Sequence, residues 1–192
     1  GYHTAVDIAT DVIDRLHTTA SSHSRIMAVE IMGNKAGWLT LSAGIAGGAD
    51  CIIIPEIPYS IDKVIECMTR RAAMGKSFSI IAVAEGAFDV AEAEMKKKER
   101  LAKRTEAGIV TATTRIAEQI QKASGIETRV CVPGHMLRGG SPCAYDRILA
   151  TKFGVHAAKL IADENYGKTV AMVDGIITSN HLKDIAGKTK LV

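Results

Sequence analysis

Aromatic side chains are scarce in this sequence: one Trp, four Tyr and three Phe among 192 residues. The interior must therefore be built from Ile, Val, Leu, Met and Ala, which supply most of a 47% hydrophobic composition. Four prolines exclude a Pro-rich chain, and 17 glycines without a triplet period exclude a collagen-like one. The four cysteines, at 51, 67, 131 and 143, form no Cys-x-x-Cys pair. That spacing argues against a zinc site or a disulfide framework and for reduced thiols in a cytoplasmic protein. No apolar run approaches the roughly 18–20 residues of a membrane span, and no signal peptide is visible. The net charge of +3 is too small to argue for nucleic acid. Hydrophobic content with 23% charged residues excludes a disordered chain and fits one domain, or one and a part. The chain opens Gly-Tyr-His rather than with Met, which suggests a piece of a longer polypeptide.

Short apolar segments alternate with helical periods. Ala5–Leu16 carries the helical spacing, and Thr18–Ser24 reads as a hydroxyl-rich loop. Strands are predicted over 26–31, 51–54, 78–84 and 128–132, and helices over 38–45, 61–74, 90–104, 109–123 and about 142–161. Gly75 suits a helix C-terminus. Residues 169–173 and 176–178 read as a hairpin around Asp174-Gly175. The alternation predicts an α/β three-layer sandwich with a mostly parallel sheet.

In open α/β sheets ligands bind beyond the carboxyl ends of the strands. The residues after the predicted strands are Met32-Gly33-Asn34, Glu85-Gly86 and Pro133-Gly134-His135, with Arg138-Gly139-Gly140 close behind. Arg25 and Arg129 open two of the strands. Arginine forks match phosphate oxygens, and a carboxylate accepts hydrogen bonds from sugar hydroxyls. The set suits an anionic, hydroxylated ligand such as a sugar phosphate. Ser141 and Pro142 read as the N-cap and first residue of a helix, and the glycines before them allow close approach of an anion. The alternative is a tight turn and a capped helix alone. Gly44–Asp50 runs from helix into strand without the dinucleotide-loop spacing, and reads as close helix–strand packing. The basic run Lys96–Arg104 is interleaved with Glu92, Glu94, Glu99 and Glu106, and reads as a solvated helix face rather than a nucleic-acid surface.

The same stretches resemble the phosphofructokinase family. Ser22-His-Ser-Arg25, Val29-Glu-Ile-Met-Gly33, Gly44-Ile-Ala-Gly-Gly48, Pro55-Glu56, Ala84-Glu85, Gly134-His-Met-Leu-Arg-Gly-Gly-Ser-Pro142 and Tyr145-Asp-Arg-Ile-Leu-Ala150 recur in the family's order. The resemblance implies a glycolytic phosphotransferase that moves a phosphoryl group from ATP or pyrophosphate, with Mg2+, to the 1-hydroxyl of fructose 6-phosphate. It implies substrate-binding roles for eight positions. Arg25 and Arg129 match arginines that reach a neighbouring subunit's site and hold the 6-phosphate. Met32, Gly33 and Asn34 match the loop at the sugar and the transferring group. Glu85 matches the carboxylate on the sugar hydroxyls, and His135 and Arg138 complete the 6-phosphate site.

Several departures stand out. Asn34 replaces the family's usual arginine, and Leu137 a usual glutamine. An insertion separates Glu85 from Arg129 and includes the charged helix. His17 and Met74 stand where the allosteric bacterial enzymes carry arginine and lysine. The family's nucleotide loop, its phosphate and magnesium segment and its catalytic-base motif all precede the point where this sequence begins. The expectation is therefore a substrate half-site over 1–138, with 139–192 a helix and hairpin belonging to an incomplete second domain. On this reading no catalytic or metal-binding residue lies in the chain, it binds neither Mg2+ nor donor alone, and it is inactive alone. A homo-oligomer (dimer or tetramer) is implied, with no nucleic-acid or membrane partner. The alternative is a non-catalytic phosphosugar-binding or regulatory module.

Overall fold

The computed structural model describes the backbone of all 192 residues. The side chains of His23, in the Ser22–Arg25 motif, and Lys97, in the basic run, lie outside the described residues. Along the chain come α1 (Tyr2–His23), β1 (Ile26–Ile31), α2 (Trp38–Ala46), β2 (Cys51–Ile53), α3 (Ile61–Ala73), β3 (Ser79–Ala84), α4 (Lys97–Glu106), α5 (Ala112–Ser124) and β4 (Thr128–Cys131). After them come α6 (Ala144–Ala162), β5 (Lys168–Val173), β6 (Ile176–His181) and α7 (Leu182–Ile185). Short 3-10 turns cover Val90–Glu92 and Gly134–Arg138. The chain divides into two units, one holding Ala5–Gly139 with the last two residues, the other Gly1–Thr4 with Gly140–Lys190.

The larger unit is built on a four-stranded sheet in the order β2-β3-β1-β4, parallel throughout. Ile26 pairs with Ser79 on one side and with Thr128 on the other. The side-chain period of two divides the strands between two cores. Met27, Val29, Ile31, Ile80 and Ala82 face α1 and α2, through Ala9, Ile13, Leu39 and Ala43. Ile26, Ile53, Ile81 and Val83 face α3 and α5, through Val64, Met68, Ile116 and Ile120. Every residue of β3 is buried, as a strand covered on both faces requires. Aliphatic side chains carry both cores: among their described buried residues Tyr59 is the one aromatic, with Phe78 partly buried against the first core. A Cβ at Gly44 would come within 2.8 Å of Ile52, so the glycine lets α2 lie close on β2.

Three sequence-based expectations need correction. Thr18–Ser24 is not a loop: α1 continues to His23, with Thr18, Thr19, Ser21 and Ser22 bonding back to carbonyls of the preceding turn. The helix expected over 90–104 is broken, because Asp89 caps the short turn at Val90–Glu92 and α4 starts only at Lys97. Ser141 is not an N-cap: α6 begins at Ala144 behind Cys143, whose N–H donates to Thr4 Oγ1 at 3.0 Å.

In the smaller unit, β5 and β6 pair antiparallel from Lys168↔His181 to Val173↔Ile176. Thr4 donates to Asp146 from Oγ1 at 2.5 Å and from its N–H at 2.8 Å. These two bonds, side chain first, hold the Asp146 carboxyl well below the usual carboxylate range. The four cysteines are free thiols. Among the described residues, no helix is long and apolar enough to cross a membrane.

Candidate functional site

Because β1, β3 and β4 run parallel, the turns that follow them share one edge of the sheet. The connection after β1 leads to α2 on one face, and that after β3 leads to α5 on the other. A crevice therefore opens between the carboxyl ends of these neighbouring strands.

Glu85 closes the base of that crevice. Its Oε1 accepts the Gly33 N–H at 3.0 Å and the Asn34 N–H at 2.7 Å. The turn after β3 and the turn after β1 are thus tied by one carboxylate oxygen. Asn34 has a φ of 54°, a left-handed conformation that asparagine tolerates better than most residues. A Cβ at Gly86 would lie 1.9 Å from the Asn34 carbonyl oxygen, so only glycine allows the two turns this approach. Met32 packs half-buried on the core shared with α1 and α2. Glu56, in the turn after β2, accepts the Gly37 N–H at 2.9 Å, placing a negative charge at the N-terminus of α2.

His135 and Arg138 stand exposed on the 3-10 turn that follows β4. Between them Leu137 is 2% exposed and belongs to the core with Ile31 and Leu39. Its inward direction is what turns His135 and Arg138 outward. The Gly139 N–H is occupied by the Met136 carbonyl at 3.2 Å, and Gly140 has a φ of +80°.

Arg25 and Arg129 do not join this group. Arg25 precedes β1 and pairs through Nε with Glu127 at 2.5 Å, and Arg129 pairs with the same carboxylate. Burial would raise the Glu127 carboxyl, but hydrogen bonds and charge from Arg25 and Arg129 hold it below its ordinary range. Both arginines lie toward the amino end of the sheet, a strand's length, roughly 17 Å, from the turn at Asn34. Within one chain these two arginines therefore lie apart from the turns that carry Asn34, Glu85 and His135.

The sequence reading missed residues from the charged segment. A small cavity of about 130 Å³ beside Glu85 and Asn34 is also lined by Lys35, Phe88, Arg100 and Arg104. Arg104 is not on a solvated face: its side chain is 11% exposed and pairs at 2.6 Å with Glu92, whose side chain is 3% exposed. Glu92 also pairs with Arg115 at 2.6 Å, and Arg115 with Asp89. Arg100 lies over the Phe88 ring, 3.9 Å from its centroid. These partners are far apart in sequence and no local motif marks them. The one available signal was Glu92, a carboxylate in a short turn with apolar Val90 and Ala91 before it.

The family model for phosphofructokinase matches residues 1–161. The chain belongs to the phosphofructokinase family. It is 50% identical over 192 residues to the ATP-dependent 6-phosphofructokinase of Spirochaeta thermophila, covering 100% of this chain and 52% of that protein. It is 44% identical over 193 residues to the pyrophosphate–fructose 6-phosphate 1-phosphotransferase of Amycolatopsis methanolica, covering 100% of this chain and 56% of that one. The solved phosphofructokinase of Saccharomyces cerevisiae superposes with a TM-score of 0.80 at 32% identity, over 96% of this chain and 23% of that chain. The chain spans about half the length of the curated relatives it matches. Against the family's usual pattern, Leu137 now has a structural reason: the position faces a closed apolar core. Asn34 has a conformational one, its left-handed backbone.

Proposed function

We propose that this chain is the fructose 6-phosphate-binding half of a 6-phosphofructokinase. The observation that carries the reading is the Glu85 carboxylate fastened to the N–H groups of Gly33 and Asn34. Both bonds end on Oε1, so Oε2 is the oxygen offered to a hydroxyl donor. The sugar lies in the crevice against Met32, Gly33 and Asn34, with its 6-phosphate held by His135 and Arg138 on the same sheet edge. A guanidinium and an imidazole suit a phosphate dianion through charge-assisted hydrogen bonds. Arg25 and Arg129, at the opposite end of the sheet, serve the site of a second copy of the chain, which makes the functional molecule a homo-oligomer.

The phosphoryl donor in the whole protein is ATP or pyrophosphate, the two donors named among the relatives. Among the described residues, no three His, Cys, Asp or Glu side chains are placed to hold a metal ion. No side chain here is assigned as the catalytic base, and the chain by itself is expected to bind the acceptor without phosphorylating it. What it contributes is orientation: the hydroxyls on Glu85, the phosphate on Arg138.

Calorimetric titration with fructose 6-phosphate tests this. Saturable binding is expected, weakened about tenfold or more by Arg138→Ala, in keeping with loss of a charged hydrogen bond. A folded chain that takes up no fructose 6-phosphate overturns the reading. Asn34 favours one second reading, a phosphosugar-binding module without transfer chemistry, because an amide cannot neutralise charge developing on a phosphoryl group. The two separate on activity of the whole protein, which the module reading expects to be nil.

A further inference from the structure

We infer that Arg104 is a positioning residue: anchored on buried Glu92, it clamps the Ala87 carbonyl and so holds Glu85 against the turn at Gly33 and Asn34. This rests on the reading of Glu85 as the acceptor for sugar hydroxyls.

The clamp is built from charges removed from water. Arg104 donates from Nε to Glu92 Oε1 at 3.1 Å and from Nη2 to Glu92 Oε2 at 2.6 Å. The same Nη2 donates to the Ala87 carbonyl oxygen at 3.0 Å. A carboxylate buried as deeply as Glu92 is tolerated only when paired and hydrogen-bonded. Arg104 and Arg115 supply that pairing from two different helices, α4 and α5. Arg115 in turn pairs with Asp89, which caps the turn at Val90–Glu92. Two carboxylates and two guanidiniums thus balance one another, and each removes a degree of freedom from the others.

The Ala87 carbonyl is the link from this cluster to the candidate site. Ala87 is 1% exposed, and its N–H donates to the Ala84 carbonyl at 2.9 Å. Gly86 is pressed on the Asn34 carbonyl oxygen, and Glu85 holds the two amides of the facing turn. The three-residue turn is therefore gripped at its last carbonyl by Arg104 and at its first carboxylate by the β1 turn. Arg100 adds a second hold from α4 one residue further on, over Phe88. The inserted, charged segment between Glu85 and Arg129 thereby acquires a role. It braces the turn that presents Glu85.

Arg104→Met removes the clamp, and Arg104→Lys keeps a charge for Glu92 while giving up the planar fork. Amide hydrogen exchange and calorimetry read the effect. In Arg104→Met the Gly33 and Asn34 amides, which Glu85 accepts, are expected to exchange about tenfold faster or more, with the amides of β3 unchanged. Affinity for fructose 6-phosphate falls about tenfold, while affinity for inorganic phosphate, held by His135 and Arg138, stays the same. Arg104→Lys falls between the two, and it carries the comparison if the methionine variant does not fold. Unchanged amides at Gly33 and Asn34 overturn the proposal. So does faster exchange spread through β3, which marks Arg104 as a residue of the fold alone, and so does unaltered affinity for fructose 6-phosphate. If the unmodified chain takes up no fructose 6-phosphate, the reading of Glu85 fails instead, and the amide rates alone decide whether the clamp exists.

Discussion

Two residues with no chemistry of their own set the dimensions of the site. Gly86 must be glycine because a methyl group there would overlap the Asn34 carbonyl oxygen. Gly86→Ala is expected to force the turns apart, costing about 1–3 kcal/mol in urea unfolding and abolishing measurable fructose 6-phosphate binding. Leu137 is the second. Leu137→Gln, which restores the family's more usual residue, puts an amide among Ile31, Leu39 and their neighbours. It should destabilise the chain by about 2–4 kcal/mol, again in urea. Asp146 contributes to acid sensitivity. Its folded-state carboxyl is depressed by Thr4, so its stabilising contribution is complete above the unfolded value near pH 4 and is lost as pH falls through the lower folded value. Asp146→Asn is expected to flatten the decline of the melting temperature between about pH 5 and pH 2 relative to the unmodified chain. The Cys51 thiol moves the other way, pushed up to about 11 by burial and then by Cys67 and Asp50, which marks it as slow toward alkylation at neutral pH.

At the scale of elements, what the sequence disclosed depended on whether the cause was local. Strand 79–84 was legible because the apolar run Ile80–Ala84 is what a doubly covered parallel strand needs, and 26–31 because Glu30 alone interrupts its run, whereas 128–131 carries Thr128 and Arg129 at a partly buried sheet edge. The turns carrying Met32–Asn34, Glu85 and His135–Arg138 followed from those strands. The extent of α1 was not legible. Thr18–Ser22 have the composition of a loop, and only the burial of Ala20 and the back-bonding of the hydroxyls keep them helical. The break before α4 and the burial of Arg104 were hidden for a different reason: both depend on Asp89, Glu92 and Arg115, whose pairing only the tertiary fold creates. Arg25 and Arg129 stand at the starts of β1 and β4 while Glu85 follows the end of the parallel strand β3, and that order along the sheet is what separates them. At the start of α5, the Thr111 side chain accepts the Thr114 N–H at 3.1 Å. Thr111→Ala should lower stability by about 1 kcal/mol, measured by chemical denaturation, without altering Glu85 or its partners.

For the whole molecule the decisive fact is an interior that only one unit possesses. Among the described residues between Gly140 and Lys190, no buried side chain is apolar, and Ile148, Val155, Ile161 and Ile176 are exposed on α6 and β6. Such a surface on a free chain is a site of association. At micromolar concentrations the chain is expected to sediment above its monomer mass and to enhance the fluorescence of a hydrophobic dye. A mixing experiment tests the role proposed for Arg129. If each site takes Arg138 from one copy and Arg129 from another, Arg129→Ala and Arg138→Ala chains each bind poorly alone. Mixed as dimers they regain binding at about a quarter of their sites, because one site of each hybrid is intact. No recovery on mixing would place both arginines' effects within a single copy.

The position of β1 has a further consequence, for the making of the molecule. It lies between β3 and β4, so Ile26 finds one neighbour at Ser79 and the other at Thr128. During synthesis β1 leaves the ribosome early and waits, its apolar faces uncovered, for partners not yet translated. The crevice between its carboxyl end and that of β3 closes only after Glu85 has emerged, and His135 and Arg138 arrive later still. The candidate site is thus among the last parts of the larger unit to exist on a growing chain. Until residue 138 is free of the exit tunnel, the nascent sheet is expected to expose apolar surface and to lack the complete candidate site.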